Sequence, residues 1–96
     1  MRKFSVMQED LTQCYFCRTT KNIHIHHVFH GTANRKLSEK YHLIVALCAT
    51  HHNMSNYSVH HNRGMDLMLK SVGQEAFTKH FGTREDFRKI FGKIYE

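Results

Sequence analysis

In Cys14-Tyr15-Phe16-Cys17 two thiols stand with two residues between them. The same spacing returns in Cys48-Ala49-Thr50-His51, with His52 directly after. Thiolate sulfur and imidazole nitrogen suit a borderline-soft ion such as zinc, and two such ligand pairs make a tetrahedral set. Cys14, Cys17, Cys48 and His51 are therefore expected to hold one structural Zn2+, drawing together two distant parts of the chain. His52 is the alternative to His51 as fourth ligand, and spacing favours His51. This set uses all three cysteines, yet the chain has ten histidines. His26, His27 and His52 remain beyond what a structural ion requires.

The chain has 96 residues, 41% of them hydrophobic and 23% charged, the composition of one small folded domain. Three cysteines cannot all pair, so thiolates on a metal in a reducing compartment fit better than a disulfide framework. Gln8-Glu9-Asp10 interrupts the N-terminal region before any signal-like apolar run, and no stretch has the roughly 20 apolar residues of a membrane span. A cytoplasmic protein without a membrane partner is the expectation. The net charge of +6, histidines taken as neutral, favours a polyanionic partner, and nucleic acid is the commonest.

No repeat, low-complexity tract or linker divides residues 1–96, so a single domain is expected. Residues 14–17 read as a metal knuckle. Residues 22–29 carry Ile23, Ile25, Val28 and Phe29 in partial alternation and read as a strand. Gly31 to Tyr41 is polar and reads as a loop with one helical turn. Leu43-Ile44-Val45-Ala46-Leu47 is an apolar run that reads as a buried strand leading into Cys48. Met65, Met68, Leu69, Val72 and Ala76 then follow helical spacing, with Phe77 and Phe81 extending the face. Gly73 is expected to break this stretch into two helices. After Gly82, Thr83-Arg84-Glu85-Asp86 is a capping-box-like start to a last amphipathic helix bearing Phe87, Ile90, Phe91 and Ile94.

Adjacent residues on a strand point to opposite faces, so His26 and His27 cannot share one task. With Cys14-x-x-Cys17, His26-His27-Val28 and Leu47-Cys48-x-x-His51-His52, the chain resembles the HNH endonuclease family over roughly residues 14–62. In particular it resembles small phage and prophage members that carry His-His in place of Asp-His. The resemblance implies an α+β fold: a ββα-metal finger with a zinc knuckle over about 14–62, followed by C-terminal helices over about 63–96. By position, His27 matches the general base, His26 the metal ligand before it and His52 a second ligand at the start of the finger helix. Cys14, Cys17, Cys48 and His51 match the structural zinc site, with His51 in place of a fourth cysteine. The family's middle Asn aligns with Leu43, and Asn34 is the expected substitute. A third ligand to the catalytic ion is expected from His60 or from Asn56, with His60 preferred.

The resemblance implies hydrolysis of DNA phosphodiester bonds, double-stranded DNA first, leaving 5′-phosphate and 3′-hydroxyl ends. His27 would take the proton from water, and one divalent ion on His26 and His52 would meet the scissile phosphate. Imidazole at position 26 softens the site, favouring Mn2+, Ni2+ or Zn2+ over Mg2+. Arg35, Lys36, Lys40 and Arg63, with Arg18 and Lys21, are candidates to grip the DNA backbone. His24, His30, His42, His61 and His80 are expected at the surface or against phosphate. The rival reading is a zinc-stapled module of phage origin that binds nucleic acid or protein and cuts nothing. A phage or host protein partner for the C-terminal helices is a third.

Overall fold

The computed structural model describes residues 4–53 and 58–95. It is a small α+β architecture with a two-stranded antiparallel sheet and, among the described residues, four helices. In chain order these are β1 (Ile23–His27), α1 (Thr32–Lys40), β2 (Ile44–Cys48), α2 (Ala49–His52), α3 (Arg63–His80) and α4 (Arg84–Phe91). None of them is long and apolar enough to cross a membrane.

β1 pairs with β2 from Ile23 opposite Cys48 to His27 opposite Ile44, which sets His26 across from Val45. β2 is buried along its whole length, as its unbroken apolar run requires. Its second edge is not left bare, because the N-terminal segment lies along it. The Ser5 hydroxyl donates to the Ile44 carbonyl, the Val6 amide to His42 and the Tyr15 amide to Ala46, while Gln8 Oε1 accepts from the Ala46 amide. These bonds occupy backbone groups that an exposed edge would offer to another chain. They also seat the Cys14–Cys17 knuckle beside the end of β2.

Two elements differ from the sequence expectation. The polar stretch after Gly31 is a nine-residue helix, α1, rather than a loop. Its helix formers Ala33, Arg35, Lys36, Leu37, Glu39 and Lys40 outweigh its low apolar content. Tertiary contacts fix it: Leu37 packs on the core, and the buried Ser38 hydroxyl accepts from the Phe29 amide at 3.0 Å and donates to the Phe29 carbonyl at 2.8 Å. Asn34 therefore sits in a helix and not in the expected loop.

The second correction concerns Gly73, which does not break the helix; α3 runs unbroken through it for 18 residues. The reason is close packing: a Cβ at this position would lie 3.0 Å from the Phe29 ring and 3.2 Å from Val28. α3 begins two residues before the apolar spacing suggests, at Arg63, because the Asn62 side chain caps it by accepting from the Met65 amide. The capping box at Thr83 and Asp86 forms as its sequence predicts.

Phe29, just beyond β1, meets the rings of Phe87, Phe91 and Tyr95 at centroid distances of 5.3, 4.8 and 5.3 Å. Phe77 of α3 joins the same group. One apolar cluster thus runs from Cys14 and Cys48 through Val28 and Phe29 to Phe87 and Phe91. From the C-terminal helices Met65, Leu69, Phe77, Phe87 and Phe91 join this cluster, whereas Met68 and Phe81, expected on the same apolar face, are exposed.

Candidate metal centres

Cys14, Cys17, Cys48 and His51 each bring a donor atom within 4.8 Å of every other. Zinc–sulfur bonds of about 2.3 Å at tetrahedral angles put sulfurs ~3.8 Å apart, and sulfur from imidazole nitrogen ~3.5 Å. The structure has Cys17 Sγ and Cys48 Sγ at 3.7 Å, and His51 Nδ1 at 3.7 Å from Cys14 Sγ and 3.3 Å from Cys48 Sγ. These three edges match a tetrahedron sized for zinc and the other three lie within 4.8 Å, so the four residues fit such an ion. Burial pushes the Cys14 thiol up, but backbone amides of Cys17, Cys48 and Phe16 directed at its sulfur outweigh that and bring it below the ordinary thiol range. Amides that favour thiolate are what a metal knuckle supplies. His51, not His52, completes the group.

The second cluster lies on the other side of α2. His26, His52 and His60 bring ring nitrogens within 4.8 Å of one another. His52 Nε2 and His60 Nε2 stand 3.1 Å apart, inside the ~3–3.4 Å expected of two imidazoles on one ion. His26 Nε2 is, among the described residues, the one fully buried side-chain nitrogen or oxygen without a hydrogen-bond partner. An orphaned buried nitrogen aimed at a cluster of imidazoles is the signature of a ligand position. Burial, then the neighbouring His52, His60 and His30, push His26 down to about 3. Burial, then His60 and His24, push His52 to about 4, and His60 is lowered by burial and His30. These shifts all favour the neutral imidazole, whose lone pair can meet a cation.

Local structure explains the convergence. His51 and His52 are consecutive on the single turn of α2, so their side chains leave it in directions about 100° apart and serve different clusters. Past the turn, the Val59 amide donates to the His51 carbonyl and the His60 amide to the His52 carbonyl, folding the chain back so that His60 faces His52. His24, two residues before His26 on the same face of β1, places Nδ1 3.0 Å from His52 Nδ1. With Nδ1 of His52 engaged there, Nε2 is the nitrogen turned toward His60. His24 is exposed, as expected, and its contact with His52 follows from the alternation of β1, which puts it on the face of His26. The other candidate third ligand, Asn56, lies outside the described residues.

His27 points to the opposite side of β1, as strand geometry demands. Its Nε2 lies 2.5 Å from Glu39 Oε2, reached from α1. Among the described residues no side-chain hydrogen bond joins it to Asn34, so the carboxylate takes the place expected of the amide. His26, His27, His52, His60 and Arg35 together line one cleft of about 250 Å³. Arg35 and Lys36 also border a neighbouring cleft beside His27, and Arg63 a third beside His60. Lys40 borders none of these; its ammonium lies over the Tyr41 ring, 5.4 Å from the centroid. His30 approaches Asp66 at 3.4 Å, and Lys70 pairs with the same carboxylate at 2.8 Å.

Chemically, the first cluster is a closed four-donor set, and the second a three-imidazole set that leaves positions open. No protein-family model, curated protein or solved structure matches the chain.

Proposed function

We propose that the protein is a metal-dependent DNA endonuclease or nickase of the HNH type, hydrolysing phosphodiester bonds with His27 as general base. The observation that carries this reading is the open three-histidine cluster in the same cleft as a fourth histidine held by a carboxylate. A zinc-stapled binding module has no use for either. His26, His52 and His60 would hold the catalytic ion, with Mn2+, Ni2+ and Zn2+ favoured over Mg2+ by the all-nitrogen donor set. When bound, such an ion supplies a positive charge that polarises the phosphate and stabilises the leaving 3′-oxygen.

The rest falls to the chain itself. Glu39 accepts a hydrogen bond from His27 Nε2–H, leaving the Nδ1 lone pair to take a proton from water. The same carboxylate stabilises the imidazolium that results, as the acid of a hydrolytic triad does for its histidine. Arg35, bordering the same cleft, offers a guanidinium fork to the phosphate oxygens. His24 keeps His52 in the tautomer that presents Nε2. Asn34, lacking a bond to His27, leaves the orienting task to Glu39.

Incubating supercoiled plasmid with Mn2+, Ni2+, Zn2+ or Mg2+ tests the proposal. Wild type should yield nicked circles with at least one ion, and His27→Ala should slow this by about 100-fold or more. Intact plasmid with every ion, alongside DNA binding, would instead establish the non-cleaving zinc module.

A further inference from the structure

In the Cys3His group of Cys14, Cys17, Cys48 and His51 the three sulfurs are not equally placed. Cys14 is fully enclosed and Cys48 is 6% exposed, whereas Cys17 stands at the surface. A sulfur that holds zinc is a thiolate, so Cys17 presents solvent with a nucleophile that needs no further activation. Cys48 Sγ lies 3.7 Å from Cys17 Sγ, at contact distance. Cys14 is the more firmly held of the two buried sulfurs: the backbone amides of Cys17, Cys48 and Phe16 are directed at it, while Cys48 takes the amide of His51. Cys48 is also the N-cap of α2, and its side chain makes no capping hydrogen bond there. Whatever moves Cys48 therefore moves the turn that carries His51 and His52.

We propose that Cys17 is a site of modification by hydrogen peroxide, that the product is a Cys17–Cys48 disulfide, and that forming it ejects zinc and dismantles the histidine cluster. The Cys17 thiolate attacks one peroxide oxygen: an S–O bond forms, the O–O bond breaks, and the second oxygen leaves as hydroxide. The Cys48 thiolate then attacks the sulfur of the Cys17 sulfenic acid. The S–S bond forms, the S–O bond breaks, and a second hydroxide leaves. Two protons from solvent turn both hydroxides into water, so two thiolates give up two electrons and one peroxide is reduced. The sulfurs close from 3.7 Å to about 2.05 Å, which draws Cys48 toward the knuckle. Cys14 and His51 are then the remaining donors, and two donors do not retain an ion that four held. α2 loses its anchor, and His52 leaves its place beside His60. The inference rests on zinc at the Cys3His group and not on the nuclease reading, since no step touches nucleic acid.

The test treats the zinc-loaded protein with hydrogen peroxide against an untreated sample. Zinc release is followed with a chromogenic chelator, disulfides by peptide mass mapping and Ni2+ binding by calorimetry. Wild type should lose its zinc, yield the Cys17–Cys48 cross-link and lose Ni2+ binding. A thiol reductant with added zinc should restore the starting state. Cys17→His keeps four donors but removes the exposed sulfur, so it should hold zinc and Ni2+ through the same exposure. If Cys17→His takes up no zinc as made, the cross-link map of the wild type decides by itself. A Cys14–Cys17 disulfide, or Cys17 carried on to sulfinic acid without any cross-link, would overturn the proposal. So would zinc retained at a peroxide dose that already converts the exposed Met68 to its sulfoxide. Ni2+ binding that survives the departure of zinc would refute the effect on the histidine cluster. A chain that holds no zinc as purified refutes the zinc reading, and the inference falls with it. A chain that holds zinc and keeps it under peroxide refutes the inference alone.

Discussion

The Nε2 atom of His26 is buried without a partner, and its ring sits among three other imidazoles. Replacing His26 with Ala removes one ligand, so Ni2+ or Mn2+ binding measured by calorimetry should disappear while zinc at the cysteines is retained. His24→Ala removes only the outer partner of His52 and should weaken the same binding about 10–100-fold. The depressed basicity of His26 also has a consequence for pH. Its folded value is about 3 against an ordinary 6.5. Between these values the unfolded chain takes up a proton that the folded, metal-free chain refuses, so stability falls as pH drops from 6.5 toward 3. Urea midpoints at pH 7.5 and 5 should drop more for wild type than for His26→Leu, which has nothing to protonate. The Cys3His group was readable from spacing and residue type, because metal chemistry restricts both, whereas His26 and His52 were singled out by the resemblance. Glu39 was not, since its partnership with His27 depends on a helix that the polar pattern of residues 31–41 concealed.

Elements with strong apolar periodicity or explicit caps declared themselves: β2 by its apolar run, α4 by its capping box. Thr83→Ala removes the hydroxyl that accepts from the Asp86 amide and should cost about 1 kcal/mol by thermal melting. α1 gave no such signal, because only Leu37 and Ser38 face inward and the rest is solvated. The continuity of α3 through Gly73 was equally hidden, since a glycine that ends a helix and one that admits a ring look alike in sequence. They differ on substitution. Ala for a glycine in an open helix interior gains about 1 kcal/mol of helix propensity, but here the new methyl meets Phe29 in a full aromatic cluster. Overpacking costs about 1–3 kcal/mol, so Gly73→Ala should lower the melting temperature rather than raise it.

For the whole molecule, the Cys3His cluster joins the N-terminal knuckle to the end of β2, and no disulfide does this work. Stripping zinc with a chelator should therefore unfold the domain, abolishing its thermal transition, and Cys14→Ser should do the same without chelator. The two-part plan, a sheet carrying the Cys3His group with helices after it, followed from the sequence because ligand spacing and apolar period are local. The cleft at the three histidines did not, since it exists only once α1 and α2 stand beside the sheet. The two clusters meet at α2. His51 and His52 ride on a single four-residue turn, one reaching each cluster. Filling the cysteine site fixes that turn and so presets His52, which makes occupancy of the two sites thermodynamically linked. Linkage is reciprocal: whatever factor zinc adds to the affinity of the histidine site, an ion there adds to the retention of zinc. Saturating Ni2+ or Mn2+ should accordingly slow zinc loss to a competing chelator, and His52→Ala should erase that protection, so that each ion keeps the other in place.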